Sequence, residues 1–375
     1  MFGFWTLIIF LAVLSILVLV HEIGHFVTAR RLGCKVEEFG LGFPPRLFAW
    51  KRKKDGIEYS LNWIPLGGFV RIKGESGQHK DHEDSFASKS AWKRFVILVA
   101  GVAMNFVLAA VLLSFGFMTG LPTAVDEGLP NGARISDAAI RVTAVLEDTP
   151  AEAVGFELGD EILSINGQTF VEAEEARAFI RDNSEQELSF LVGRSDSEFV
   201  VQVTPEYIEE LEKVGIGTGL ITTGFVSFPI HLAIWYGITT TYKYTILIVV
   251  ALYTILKSLI MGQGVGLDLS GPVGIAVMTG QAARLGLAYL IQFTAILSIN
   301  LAVINVLPLP ALDGGRILFL LIEKIRRQPI NERIEAVVHN TGFLILIGLI
   351  VLITYRDLLR YSEQILGGIK GLIGM

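Results

Sequence analysis

His21-Glu22-Ile23-Gly24-His25 sets two imidazoles four residues apart around a carboxylate. On an α-helix, positions i and i+4 share one face, so both rings can reach a single metal ion while Glu22 projects beside them. These residue types support metal-assisted hydrolysis, with the histidines as ligands and the glutamate as proton acceptor for an attacking water. Catalytic zinc sites commonly take three protein ligands and leave the fourth position to water, whose pKa zinc lowers toward about 7. Chance produces such a pattern in a chain of this size on the order of once in a hundred. Context makes chance a poorer explanation still. The pattern ends an apolar run, where two histidines and a glutamate are costly unless they have a partner.

A third ligand must come from elsewhere, and Asp313 is the candidate. It stands in Leu312-Asp313-Gly314-Gly315, just after Asn305-Val-Leu-Pro308-Leu-Pro310. Pro308 and Pro310 prevent regular helix, and irregular backbone at membrane depth survives only where protein or a water-filled cavity satisfies it. An Asp at such a break either caps the following helix or serves a functional site. An otherwise incomplete pair of histidines favours the ligand.

The elements that must position these groups are apolar. The chain has 375 residues, of which 52% are apolar, and its mean hydropathy is +0.56. This composition excludes an ordinary soluble enzyme and points to a polytopic membrane protein. Four segments are long enough to span or nearly span a bilayer, which takes about 20 residues. They are Phe4–Ala29, Phe95–Gly120, Leu287–Pro308 continuing into Ile317–Ile322, and Gly342–Tyr355 extended from about Val337 to Leu359. The first run has no basic start and no small-residue cleavage site, so it reads as a retained helix rather than a signal peptide. His21 lies about 25 Å along that helix, past the bilayer midplane. A fifth segment, Tyr244–Leu256, is flanked by Lys243 and Lys257. Its short uninterrupted run predicts an interfacial or re-entrant helix, with a true span as the alternative.

Residues 30–94 carry fourteen Lys/Arg against eight Asp/Glu, whereas 121–228 carry six against twenty-one. The positive-inside rule then puts the loops after the first helix and between the last two in the cytoplasm. The acidic stretch and the N-terminus fall outside. One cysteine, Cys34, excludes an intrachain disulfide. Residues 126–205 read as an inserted soluble domain of short alternating strands (Ile140–Leu146, Glu161–Ile165, Glu187–Val192, Phe199–Val203) with one helix at about Glu172–Asp182.

Taken together, these motifs resemble the site-2 protease family of intramembrane metalloproteases, most closely its regulator-of-sigma-E branch. The resemblance covers nearly the whole chain. It is carried by His21-Glu22-x-x-His25, by Asn305…Pro308…Leu312-Asp313-Gly314, and by Ser270-Gly-Pro-Val-Gly-Ile275. A PDZ-like stretch, Thr149-Pro-Ala-Glu-Ala-Val-Gly155 through Gly159-Asp160 to Asn166-Gly167, completes it, with Phe156 where Leu is commoner. The resemblance implies Zn2+ bound by His21, His25 and Asp313, with Glu22 as general base and Asn305 holding the substrate backbone. Asn105, in Gly101-Val-Ala-Met-Asn105, matches an intramembrane Asn of the family. It either contacts substrate or bonds across helices.

The apolar stretch Tyr59–Ile72, with Gly67, Gly68 and Phe69, resembles the family's membrane-embedded β-hairpin. It serves either to hold substrate by strand addition or simply as structure. The family's proteobacterial members carry two PDZ domains, and this chain has room for one. His79 and His82 fall in a polar loop, His231 and His339 near helix ends, and Cys34 reads as a structural thiol.

The expected architecture is a polytopic α-helical membrane protein: a four-helix core with a membrane-embedded β-hairpin, plus one extracytoplasmic α+β PDZ-like domain. Its parts are 1–34, the first transmembrane helix with the zinc motif; 35–75, the hairpin region; 92–120, the second helix; 126–205, the PDZ-like domain; 229–261, the interfacial or re-entrant helix; 286–325, the third helix with the Asp ligand; and 337–360, the fourth. The expected function is intramembrane proteolysis of single-pass membrane proteins in a bacterial inner membrane, after an upstream site-1-type protease. Anti-sigma factors or remnant signal peptides are the substrates the family suggests. The lipid bilayer is a partner and nucleic acid is not. The rival reading is a catalytically inactive membrane scaffold that binds peptides through the PDZ-like domain.

Overall fold

The computed structural model describes residues 4–75, 81–125, 132–146, 148–194, 197–208, 213–262, 270–328 and 330–362. His79 lies outside the described residues. In chain order the elements begin with α1 (Phe4–Arg31), β1 (Val36–Lys51), β2 (Glu58–Ile72), α2 (Ala91–Thr119), β3 (Leu121–Ala124) and β4 (Arg134–Val145). Next come α3 (Pro150–Ala153), β5 (Glu161–Ile165), α4 (Ala173–Asp182), β6 (Leu188–Arg194), β7 (Ser197–Val203), β8 (Glu206–Ile208), β9 (Lys213–Gly215) and β10 (Thr218–Ser227). The chain ends with α5 (Ile230–Ile260), α6 (Pro272–Leu285), α7 (Leu287–Val306), α8 (Asp313–Arg326) and α9 (Glu332–Arg360). Two compact units result, one from residues 1–115 with 234–375 and one from Gly116–Ala233.

Among the described residues five helices, α1, α2, α5, α7 and α9, are long and apolar enough to cross a membrane. α1 runs without interruption because Leu, Ile and Val dominate it. It stops at Gly33, whose φ of +79° suits glycine. There the Cys34 N–H donates to Ala29 O and the Gly33 N–H to Arg30 O, closing the helix end. α7 and α8 are separate helices, divided at Leu307–Leu312 where the prolines fall. The start of α8 folds tightly back on α7: a Cβ on Gly314 would lie 2.2 Å from the carbonyl oxygens of Val306 and Leu307.

The fifth segment is longer than its apolar run implies. α5 is one 31-residue helix. Its polar stretch is compatible with an apolar helix because Thr239, Thr241 and Thr245 donate back to the carbonyls of Trp235, Gly237 and Thr241. The Ser270–Ile275 motif opens α6, where the Gly274 N–H donates to buried Asp357 on α9.

β1 and β2 form a sheet of their own, antiparallel overall. The residues Glu38–Leu41 face Arg71–Gly68 on one side and Glu58–Leu61 on the other, so β2 wraps both sides of β1. Buried Glu38 fixes this arrangement, accepting from Ser60 Oγ at 2.8 Å and Arg46 at 2.9 Å and pairing with Arg71 at 3.0 Å.

The second unit is a six-stranded sheet in the order β3-β10-β4-β5-β6-β7, with a small β8-β9 pair. Its core gathers Ile140, Val142, Phe156, Ile165, Leu188, Phe190 and Val192 with Ala176 and Ile180 of α4. The unit is larger than residues 126–205, because β3 and β10 belong to the same sheet. The buried face of β10 is Leu220, Thr222, Gly224 and Val226, and two of these lack the apolar bulk that makes strand alternation visible. At one rim, Asp160 is held by Arg194 at 2.6 Å and by the Glu157 N–H at 2.8 Å. Burial pushes the Asp160 carboxyl up, but Arg194 and this N–H more than offset it and hold it below the usual range.

Candidate metal centre

His21 and His25 lie on the buried face of α1 as the i, i+4 spacing requires. Asp313, the first residue of α8, meets them. His21 Nε2 and His25 Nε2 are 3.2 Å apart, and Asp313 Oδ2 lies 3.1 Å from the first and 3.3 Å from the second. Among the described residues these three form the one cluster of metal-ligating groups that could hold an ion.

The protonation of His25 follows from its partner. His25 Nδ1 sits 2.9 Å from the Ile97 carbonyl, which can only accept, so Nδ1 carries the proton and Nε2 presents a lone pair. Asn105 places its side-chain amide 3.3 Å from His21 Nδ1. Its Oδ1 has no other partner, and turning the amide end for end lets that oxygen accept from Nδ1–H. Both Nε2 lone pairs then point at Asp313 Oδ2, itself buried with no hydrogen-bond donor. Three acceptors converging this closely repel one another unless a cation lies between them. Ligands about 2.0–2.1 Å from a tetrahedral zinc are about 3.3 Å apart, so the donor set fits zinc in both chemistry and spacing.

Glycines allow the approach. A Cβ on Gly101 would stand 2.4 Å from His25 Nε2 and 2.9 Å from His21 Cε1. A Cβ on Gly24 would stand 2.4 Å from the Ala100 carbonyl oxygen. α1 and α2 therefore cross backbone to backbone at the centre. α7 joins them through Ser298 Oγ, which donates to the Asn105 carbonyl at 2.8 Å. α8 is fixed by Arg94 to Glu323 at 2.9 Å and by the contact of Arg316 with Glu75.

Glu22 lies between the ligand cluster and the sheet, with His25 and Asp313 among the charged groups nearest its carboxylate. Its side chain lies beside Gly68, and the Val70 backbone N–H is near enough to influence its carboxylate. Gly67, with φ +106°, packs against Val18 one turn earlier on α1. Of the residues singled out from sequence, Gly67, Gly68 and Phe69 thus lie on the strand beside Glu22. Phe69 turns its ring over Gly40. Asn305 is half-buried on the last turn of α7 and bonds to no described residue. Asn105 is wholly buried, with its side-chain amide against His21. His339, near the start of α9, accepts from the Ala311 N–H of the loop before Asp313.

The Ile97 carbonyl and the Glu75–Arg316 pair carry no local motif. Gly101 and Asn105 do lie in a recognised one, and the four-residue spacing that puts both against the imidazoles was its available signal.

Known proteins resemble this chain over most of its length. The family model described as peptidase family M50 matches residues 9–349. The regulator of sigma-W protease RasP of Bacillus subtilis (strain 168) is 32% identical, over 95% of this chain and 98% of its own length. The zinc metalloprotease RasP of Oceanobacillus iheyensis is 31% identical, over 95% and 99%. The crystallised PDZ domain of an SdrC-like protein from Listeria monocytogenes aligns with 23% of this chain and 92% of its own at 23% identity, with a TM-score of 0.21. On the family match and the extent of these relatives, the chain belongs to peptidase family M50 and is a zinc metalloprotease of the site-2 type.

Proposed function

We propose that His21, His25 and Asp313 hold the zinc and that Glu22 is the general base. The protein would then cleave single-pass membrane proteins within or beside their transmembrane segments. The observation that carries this reading is three converging acceptors at zinc spacing, with the Glu22 carboxylate of α1 beside them. Bound zinc supplies Lewis acidity and makes hydroxide available near neutral pH. The rest falls to the chain. Glu22 takes a proton from the attacking water and later delivers it to the leaving amine. Asn305, with an uncommitted amide, steadies the substrate backbone and the developing oxyanion.

β2 at Gly68–Ile72 offers an edge for strand addition to an unwound substrate, since among the described residues it pairs only with Val36–Leu41 of β1. A transmembrane helix must unwind first, because its own backbone bonds are all internal.

The substrates of this reading are membrane proteins already trimmed by an upstream protease, such as anti-sigma factors, or remnant signal peptides. The charge split supports an N-terminus and PDZ-like domain outside the inner membrane. α5 fits the outer interface. Gly237 packs on Ser114 near the end of α2, and Tyr244 bonds Gln292 near the start of α7. α6 then starts against Asp357 near the end of α9. All three contacts belong to the same side in this topology. A topology reporter at residue 170 should read extracytoplasmic, and a cytoplasmic signal refutes the arrangement.

In the PDZ-like domain, α4 and β10 bound a cavity of about 540 Å³ with Arg177, Arg181 and Lys213 in its wall. It is suited to chain ends and to screening substrates by size. Unchanged cleavage of intact full-length membrane proteins after deletion of 126–205 would remove that role.

The mechanism is tested by co-expressing a tagged single-pass substrate with wild type and with Glu22→Gln. Loss of a general base costs about 10²–10⁴ in rate, so the variant should hold zinc and leave substrate intact. Equal cutting by both refutes Glu22 as the base.

A further inference from the structure

We infer that His339 is a positioning residue that tethers the loop carrying Asp313, through the hydrogen bond its Nδ1 accepts from Ala311 N–H. The inference rests on Asp313 being a zinc ligand. The loop Leu307–Leu312 has few internal bonds. Pro308 and Pro310 have no N–H. Leu307 donates to Ile304 O, Leu309 to Leu307 O, and Leu312 to Leu309 O. Every donor of the loop is thus accounted for. Only that of Ala311 leaves it for another helix, reaching His339 on α9 at 3.0 Å.

Ala311 needs this restraint. Its φ is +73°, a left-handed conformation that residues with a Cβ seldom adopt without support. Two residues later the chain must deliver the Asp313 carboxylate to both imidazoles.

α9 grips the loop a second time. Gly342, three residues beyond His339, lies so close to Pro310 that a Cβ there would stand 2.3 Å from Pro310 Cβ. Phe319 of α8 packs on the His339 ring, with centroids 5.4 Å apart. Packing alone would not select a histidine. With Nδ1 accepting, Nε2 bears the proton, yet Nε2 is buried with no hydrogen-bond partner. An apolar side chain would avoid that cost, so the residue is explained by the one bond it makes.

The test follows zinc release from the purified full chain to a chelating dye, in His339→Leu, His339→Asn and Asp313→Ala, with the KM and kcat of the active variants. His339→Leu should release zinc about 10–100-fold faster, as when other outer partners of metal sites are lost. Its kcat should fall with KM nearly unchanged. His339→Asn offers an acceptor near the position of Nδ1 and should restore retention. If His339→Leu keeps zinc and kcat at wild-type values while Asp313→Ala loses zinc, the tether is refuted and the ligand assignment stands. If Asp313→Ala retains zinc as wild type does, the ligand assignment itself fails. Should His339→Leu not fold, Gly342→Ala presses on the same loop through Pro310. Faster zinc release from it supports the tether, and wild-type release overturns it.

Discussion

The two units of the chain invert each other's pattern of burial. In the unit Gly116–Ala233 the interior is mainly hydrocarbon: Phe190, Leu188 and Val192 are fully buried, and the one buried carboxylate among its described residues, Asp160, is paired with Arg194. In the helical unit the outer faces of α5 and α9 are apolar and exposed, while Asn105, Ser298, His21, His25 and Glu38 are buried. The first pattern is what water imposes. The second suits an apolar solvent, where interhelical contact is made by small residues and hydrogen bonds. Substitutions should therefore hurt the two units in opposite ways, added bulk or lost polarity in one and lost bulk in the other.

The largest effect is expected at Gly101. Gly101→Val would drive carbon into both imidazoles. Zinc content of the purified protein should fall by more than the 10–100-fold typical of an outer partner, and wild-type content would break the contrast. Next, Phe190→Ala should cost the sheet unit about 3–5 kcal/mol through cavity formation. Thermal melting reads that loss, and zinc content should not move.

Asn105→Ala should weaken zinc about 10–100-fold while leaving the helices folded, as measured by chelator competition. An unaltered zinc affinity would return Asn105 to the substrate side of its two readings.

The smallest effect is at Asp160. Its carboxyl is held below the ordinary range, so its stabilisation is complete above the unfolded value near 3.9 and vanishes as pH falls through the folded one. Asp160→Asn should cost about 1 kcal/mol at pH 7, with the gap to wild type closing in acid. A gap that is constant down to pH 2 would show that the ion pair is not its source.

Sequence reading reached what is periodic or interrupted. The histidine pair is legible because helix geometry makes i and i+4 neighbours, and Asp313 because prolines mark a break where none should be. β5 and α4 are legible from alternation and an amphipathic stripe. The length of α5 was hidden by threonines whose hydroxyls are satisfied by their own helix. β10 was hidden by Thr222 and Gly224 on its inner face. The Ile97 carbonyl and the role of His339 were out of reach for a different reason. Ile97 acts through a carbonyl, which every residue has, and His339 acts on a loop 28 positions away.

The two histidines also differ in what evolution can do to their support. His25 leans on a main-chain carbonyl at position 97, which no point mutation deletes. His21 leans on the side chain of Asn105, which a single codon change removes. Genetic drift can thus rewrite the side chain at 97 with the tautomer of His25 intact, whereas position 105 is exposed to selection in every generation. A population losing this activity by degrees would be expected to lose it first through His21.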